Sequence, residues 1–156
     1  MTSPRGALLV GSVNFDDAET TMRAAAGILG SRLRRIPDGE SGTRFHWIMF
    51  QPDVLGAADG IERVGAERIS FGAGLDARPL RIADGIDAAA IALPSLGYAV
   101  AARESYRVFR RLREEGVLAA GVRFQVSLPT PLAVISSFFS GDDRAAIDPV
   151  YTAGIL

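Results

Sequence analysis

Asp38, Glu40, Arg44, His46 and Trp47 bring two carboxylates, a guanidinium, the only histidine and the only tryptophan into ten residues of this chain. They begin in PDGE, directly after the short run RRI, where a strand would end. Charged residues at strand C-termini are favoured positions for a site. The set could bind a polar small molecule, with Arg44 clamping a carboxylate and Trp47 forming an apolar wall. The plain alternative is an Asp-Gly turn with a solvated Glu40.

Two other segments have the same form. ALLVGS, residues 7–12, ends in Gly11 and Ser12. The glycine would let a ligand approach the backbone, and the hydroxyl could bond a carboxylate or an amine. A simple turn is the alternative. RFQVSLPTPLAV, residues 123–134, alternates Arg123, Gln125 and Ser127 against Phe124, Val126 and Leu128. Gln125 is then a neutral hydrogen-bonder on a polar face. Thr130 reads as a helix N-cap with Pro131 at the first helical position, and the exposed N–H groups there could receive an anion. A further pattern, FGAGLDARPLR at 71–81, looks like the glycine loop of one group of S-adenosylmethionine-dependent methyltransferases. That reading requires a buried strand before the loop and a helix after it, and Pro79 argues against the helix.

The elements that must position these residues read as strand–helix steps. Residues 8–10 are a buried-strand candidate. Acids at Asp16, Asp17 and Glu19 then open a helix carrying Ala18, Met22, Ala25 and Leu29 on one face, and Gly30 stops it. A second strand falls at 34–37, and 41–50 reads as a helix or an ordered loop. Glycines punctuate 52–92, predicting an irregular insertion of hairpin-like strands and turns. A helix over 96–115 places Tyr98, Ala102, Phe109 and Leu112 together and ends at Gly116. A strand at 122–128, a helix over 132–139 and a last helix from 148 follow. In a strand flanked by helices, one polar face points to a barrel lumen or ligand cleft rather than a sheet covered on both sides.

Composition narrows the classes. The 156 residues are 48% hydrophobic and 22% charged, with net charge −1, so nothing draws the chain to nucleic acid or an anionic membrane. All 17 basic residues are Arg, which removes a Schiff-base or P-loop lysine. With no Cys, disulfides and thiolate zinc sites are excluded. Residues 88–102, an uncharged stretch, contain Pro94 and Gly97 and fall short of the roughly 20 residues of a membrane helix. Residues 1–6 run straight into a strand-like segment rather than forming a leader. A cytoplasmic protein is expected.

With these residues in hand, the chain resembles the superfamily joining uroporphyrinogen decarboxylase to cobalamin-independent methionine synthase. It is most similar to uncharacterised bacterial members on the methionine-synthase side. VGS at 10–12 resembles the family's opening strand, PDGE with Arg44 and Trp47 its second-strand motif, and residues 96–134 are similar throughout. The resemblance implies a (β/α)₈ TIM barrel, of which 1–156 would be a single partial domain, about the first half of the roughly 250 residues such a barrel takes. It implies methyl or alkyl transfer on a small thiol or carboxylate substrate, with Gly11 and Ser12 helping to hold an amino-acid substrate. Any zinc would be bound in the later half of such a barrel, so no cofactor is expected in this chain. The competing expectations are a binding or assembly subunit, paired with itself or with a complementary half-barrel through exposed strand edges, and the S-adenosylmethionine methyltransferase.

Overall fold

A computed structural model describes residues 6–72 and 74–155. In chain order it forms α1 (Ala18–Leu29), β1 (Arg35–Ile36), α2 (Gln51–Leu55), β2 (Ile61–Arg63), β3 (Ser70–Phe71), β4 (Leu75–Asp76), β5 (Leu80–Ile82), α3 (Tyr98–Glu114), β6 (Arg123–Phe124), α4 (Pro131–Phe138) and α5 (Asp143–Ile155). They divide into two compact units, Met1–Phe45 with Ala99–Leu128, and His46–Tyr98 with Pro129–Leu156.

In the first unit, α1 starts where the Asp17 carboxylate accepts the Thr20 N–H at 2.7 Å, satisfying one of the open donors of a helix end. It stops at Gly30, whose φ of 49° suits glycine. Helix α3 ends with Arg111 and Arg113 in its last turn, beside the open carbonyls, and Gly116 follows at φ 74°. Met22 and Ala25 of α1, Phe109 and Leu112 of α3, and Ile36, Leu118 and Val122 make one buried apolar cluster. Phe124 packs on Phe109 with its ring tilted by 44° and the centroids 5.5 Å apart. The helices therefore cover the Ile36 and Phe124 side of a parallel pair in which Arg35 lies beside Arg123 and Ile36 beside Phe124. The ladder continues through Arg123 N–H to Arg34 O at 3.0 Å and Gln125 N–H to Ile36 O at 2.9 Å.

In the second unit, β2 pairs antiparallel with β5, and β3 with β4. These are the hairpin-like strands expected between 52 and 92. Leu55, Leu80, Val134, Ile147 and Tyr151 lie at the centre of its core. Thr130 caps α4, its hydroxyl accepting the Ala133 N–H at 3.3 Å, and Pro131 takes the first helical position, as read from the sequence. Helix α5 begins at Asp143, earlier than expected, and contains Pro149.

The expectation of a partial (β/α)₈ TIM barrel is overturned. Among the described residues the strands form three separate two-stranded sheets, and only β1–β6 is parallel. The physical reason lies in the segments meant to be barrel strands. Residues 8–10 are not a buried strand: Leu8 is 66% and Val10 85% exposed, and only Ala7 bridges to Leu33. Alternation over 122–128 yields a strand of only two residues, because no second neighbour extends the ladder. Residues 1–5, read as leading into a strand, and Leu156 lie outside the described residues.

Candidate functional site

The first unit gathers three chain segments at the C-terminal ends of its parallel run. The segment at 9–13 is held by Val13 N–H to Gly39 O at 2.9 Å. Gln125, on the strand face away from the helices, donates its side-chain amide to Leu9 O at 3.0 Å and Val10 O at 2.8 Å. Ser127 adds its hydroxyl to Val10 O at 3.1 Å. Side chains thus satisfy carbonyls that a neighbouring strand would otherwise take.

The PDGE turn is forced by packing. Gly39 sits at φ 82°, and a Cβ there would lie 2.7 Å from the Thr21 hydroxyl oxygen of α1. Only glycine fits both the conformation and the space. Glu40 follows at φ 50°, a left-handed conformation that costs a side-chain-bearing residue energy. The two carboxylates flanking Gly39 are both buried, at 5% exposure for Asp38 and 6% for Glu40.

Their surroundings differ. Asp38 accepts from the Glu40 N–H at 3.0 Å, from the Arg44 guanidinium at 2.7 Å and from the Ser105 hydroxyl at 2.9 Å. A 3₁₀ turn over Gly42–Arg44 brings the guanidinium back onto the carboxylate. Arg44 is therefore engaged by Asp38, and its place in the site is to fix that carboxylate. Glu40 accepts a hydrogen bond from the Ser12 hydroxyl, and among the described residues no arginine pairs with it. Gly11 is buried against the same carboxylate: a Cβ on it would meet Glu40 Oε2 at 3.0 Å and Ser127 Oγ at 3.2 Å. Glycine at 11 is what lets Glu40 reach this corner.

Gly11, Ser12, Asp38, Glu40, Arg44 and Gln125 are thus brought together. Trp47 and Thr130 belong to the second unit. Trp47 is half-exposed at φ 58°, and Thr130 serves as the α4 cap. Sequence reasoning missed Ser105. Its signal was present, because it stands on the 98–102–109–112 stripe of α3, the one polar residue on an otherwise apolar face, and it is buried.

The FGAGLD segment is a β3–β4 hairpin followed by β5 rather than a helix, and its Ala73 lies outside the described residues. Asp76 at its end is held by the Arg78 guanidinium at 2.8 Å and by Arg63 at 3.6 Å. The hydrogen bonds from Arg78, foremost, lower its pKa to about 2. No three metal-binding side chains gather among the described residues. With Asp38 turned onto Arg44 and Ser105, the donor set of the first unit does not fit zinc. No described helix is long and apolar enough to cross a membrane. No protein-family model, curated protein or solved structure matches the chain.

Proposed function

We propose that the Ser12–Glu40 corner binds the ammonium group of a small amino-acid-like substrate, in a protein that takes part in methyl or alkyl transfer to a thiol. The observation that carries the binding half is Glu40 itself, a buried carboxylate with a hydroxyl but, among the described residues, no cation beside it. Burying an unpaired charge costs several kcal/mol unless a counter-charge arrives, roughly the scale for an ion removed from water. A ligand ammonium would supply that charge together with a donor for the remaining carboxylate lone pairs. The transfer half draws on the resemblance of 10–12, 37–47 and 96–134 to the methionine-synthase side of its superfamily. In this reading Ser12 and Glu40 hold the substrate, Asp38, Arg44 and Ser105 set the turn that presents Glu40, and Gln125 fixes the backbone at 9–10.

Titration calorimetry with cysteine and its one-carbon-longer homologue, beside their N-acetyl forms, tests the reading. N-acetylation should remove binding, and Glu40→Gln should weaken it by about tenfold or more, the scale of one charge-assisted hydrogen bond. Equal binding of the N-acetyl forms, unchanged binding by a folded Glu40→Gln protein, or no heat with any of the amines would overturn it.

A further inference from the structure

We infer that the free edge of β6 accepts an extended segment of a partner protein in which apolar and acidic residues alternate. Three observations meet there. Arg123 and Gln125 direct their N–H groups to β1, so the backbone groups of Phe124 and Val126 point the opposite way, and no described strand pairs with that edge. An unpaired edge is a template for strand addition. Val126 and Leu128, next along this edge, are 51% and 49% exposed, although both are apolar.

The third observation is charge. In the parallel register Arg35 and Arg123 are direct neighbours on the face away from the helices, and both are exposed. Arg32 and Arg34 are exposed in the adjoining turn of chain. None of the four has a carboxylate partner among the described residues; Arg68, Arg103, Arg107, Arg113 and Arg144 share that state, but here the unpaired guanidinium groups lie together along one strand pair and its adjoining turn. A strand added beside β6 would lie about 4.8 Å away, placing its side chains of one parity next to Phe124 and Val126 and those of the other next to Arg123. Apolar residues suit the first set, and Asp or Glu the second. A basic or neutral strand would leave the arginines uncompensated.

The test uses the full chain and two short synthetic peptides, one alternating Val with Glu and one alternating Val with Lys. Fluorescence anisotropy should show the Glu peptide binding about tenfold tighter, the scale of two exposed ion pairs. Amide exchange should slow at Phe124 and Val126. Arg123→Glu should reverse the preference, with Arg35→Glu as the second variant should the first not fold. Val126→Pro removes an N–H that has no partner among the described residues, so it should abolish binding with the circular dichroism unchanged. Equal affinity for the two peptides, or no binding of either, would return Arg123 to a guard that merely blunts the edge. Protection at other amides would also overturn the inference. So would concentration-dependent sedimentation that Val126→Pro abolishes, because a second copy would then occupy the edge.

Discussion

The turns at 37–40 and 72–76 each lead into a carboxylate that is 6% exposed, Glu40 in the first and Asp76 in the second, and they treat it in opposite ways. Asp76 has Arg78 and Arg63 against it, and the backbone N–H of Arg78 as well. Its charge is balanced within the fold, and nothing is left for a ligand to do. Glu40 has a hydroxyl and, among the described residues, no cation. Asp38, two residues earlier on the same turn, shows that the first unit can neutralise a buried acid when the sequence supplies Arg44 and Ser105. The contrast teaches that burial alone does not mark a site. An acid whose partners are all internal is architecture, and an acid left short of a counter-charge is positioned for something that arrives.

The glycines of the two turns give the largest expected effect. Gly39 and Gly74 have nearly the same φ, 82° and 86°, but a Cβ at 39 would collide with Thr21 while one at 74 would meet nothing within 4 Å. Gly39→Ala should cost about 3 kcal/mol, combining backbone strain with overpacking. Gly74→Ala should cost only about 1 kcal/mol, the strain alone. Urea unfolding of the two variants measures the difference. Equal losses would mean that the first turn is not pinned to α1, and Glu40 would lose its fixed position.

The carboxylates themselves come next. Asp76 has its pKa lowered from 3.8 to about 2, so its contribution to stability is whole above the higher value and is lost as the pH falls through the lower. Asp76→Asn should therefore be less stable than the parent at neutral pH, and its stability should fall less across that acid window. Glu40→Gln should leave neutral-pH stability unchanged or raise it, while ligand binding falls, the trade expected of a binding residue. Urea midpoints followed from neutral pH down to the acid limit test both. A Glu40→Gln protein destabilised as much as Asp76→Asn would make the two turns alike and end the comparison.

Much of this was legible in residues that act locally. Asp17, Gly30, Thr130 and Gly116 mark helix ends by capping and φ preference, which depend on near neighbours, and the helices begin or end where those residues stand. The meeting of Gly11–Ser12, PDGE and Gln125 was legible as the ends of strand-like runs. The barrel was not, because alternation in 122–128 tells which way side chains point and cannot supply a neighbouring strand. The same gap hid the exposure of Leu8 and Val10. Pro149 misplaced the start of α5, since proline is favoured in a first turn, whereas α5 begins at Asp143 and carries Pro149 inside it. The engagement of Arg44 by Asp38 depends on how a 3₁₀ turn folds back, and spacing alone left that guanidinium free to read as a carboxylate clamp.

The smallest effect carries the comparison of balanced and unbalanced charge to the surface. Arg35 and Arg123 stand side by side with no carboxylate paired to either among the described residues, the cationic counterpart of Glu40's uncompensated state. Like charges directly opposite on neighbouring strands are destabilising, so Arg123→Gln should stabilise the chain alone by about 0.5 kcal/mol. The gain should shrink as salt is raised, because both guanidinium groups are exposed and screened by counter-ions. Thermal melts at low and high ionic strength read both quantities. A loss of stability at low salt would mean that Arg123 is held by attractive contacts within the chain. Its charge would then be balanced, as that of Asp76 is, and an acidic strand would find nothing there to complete.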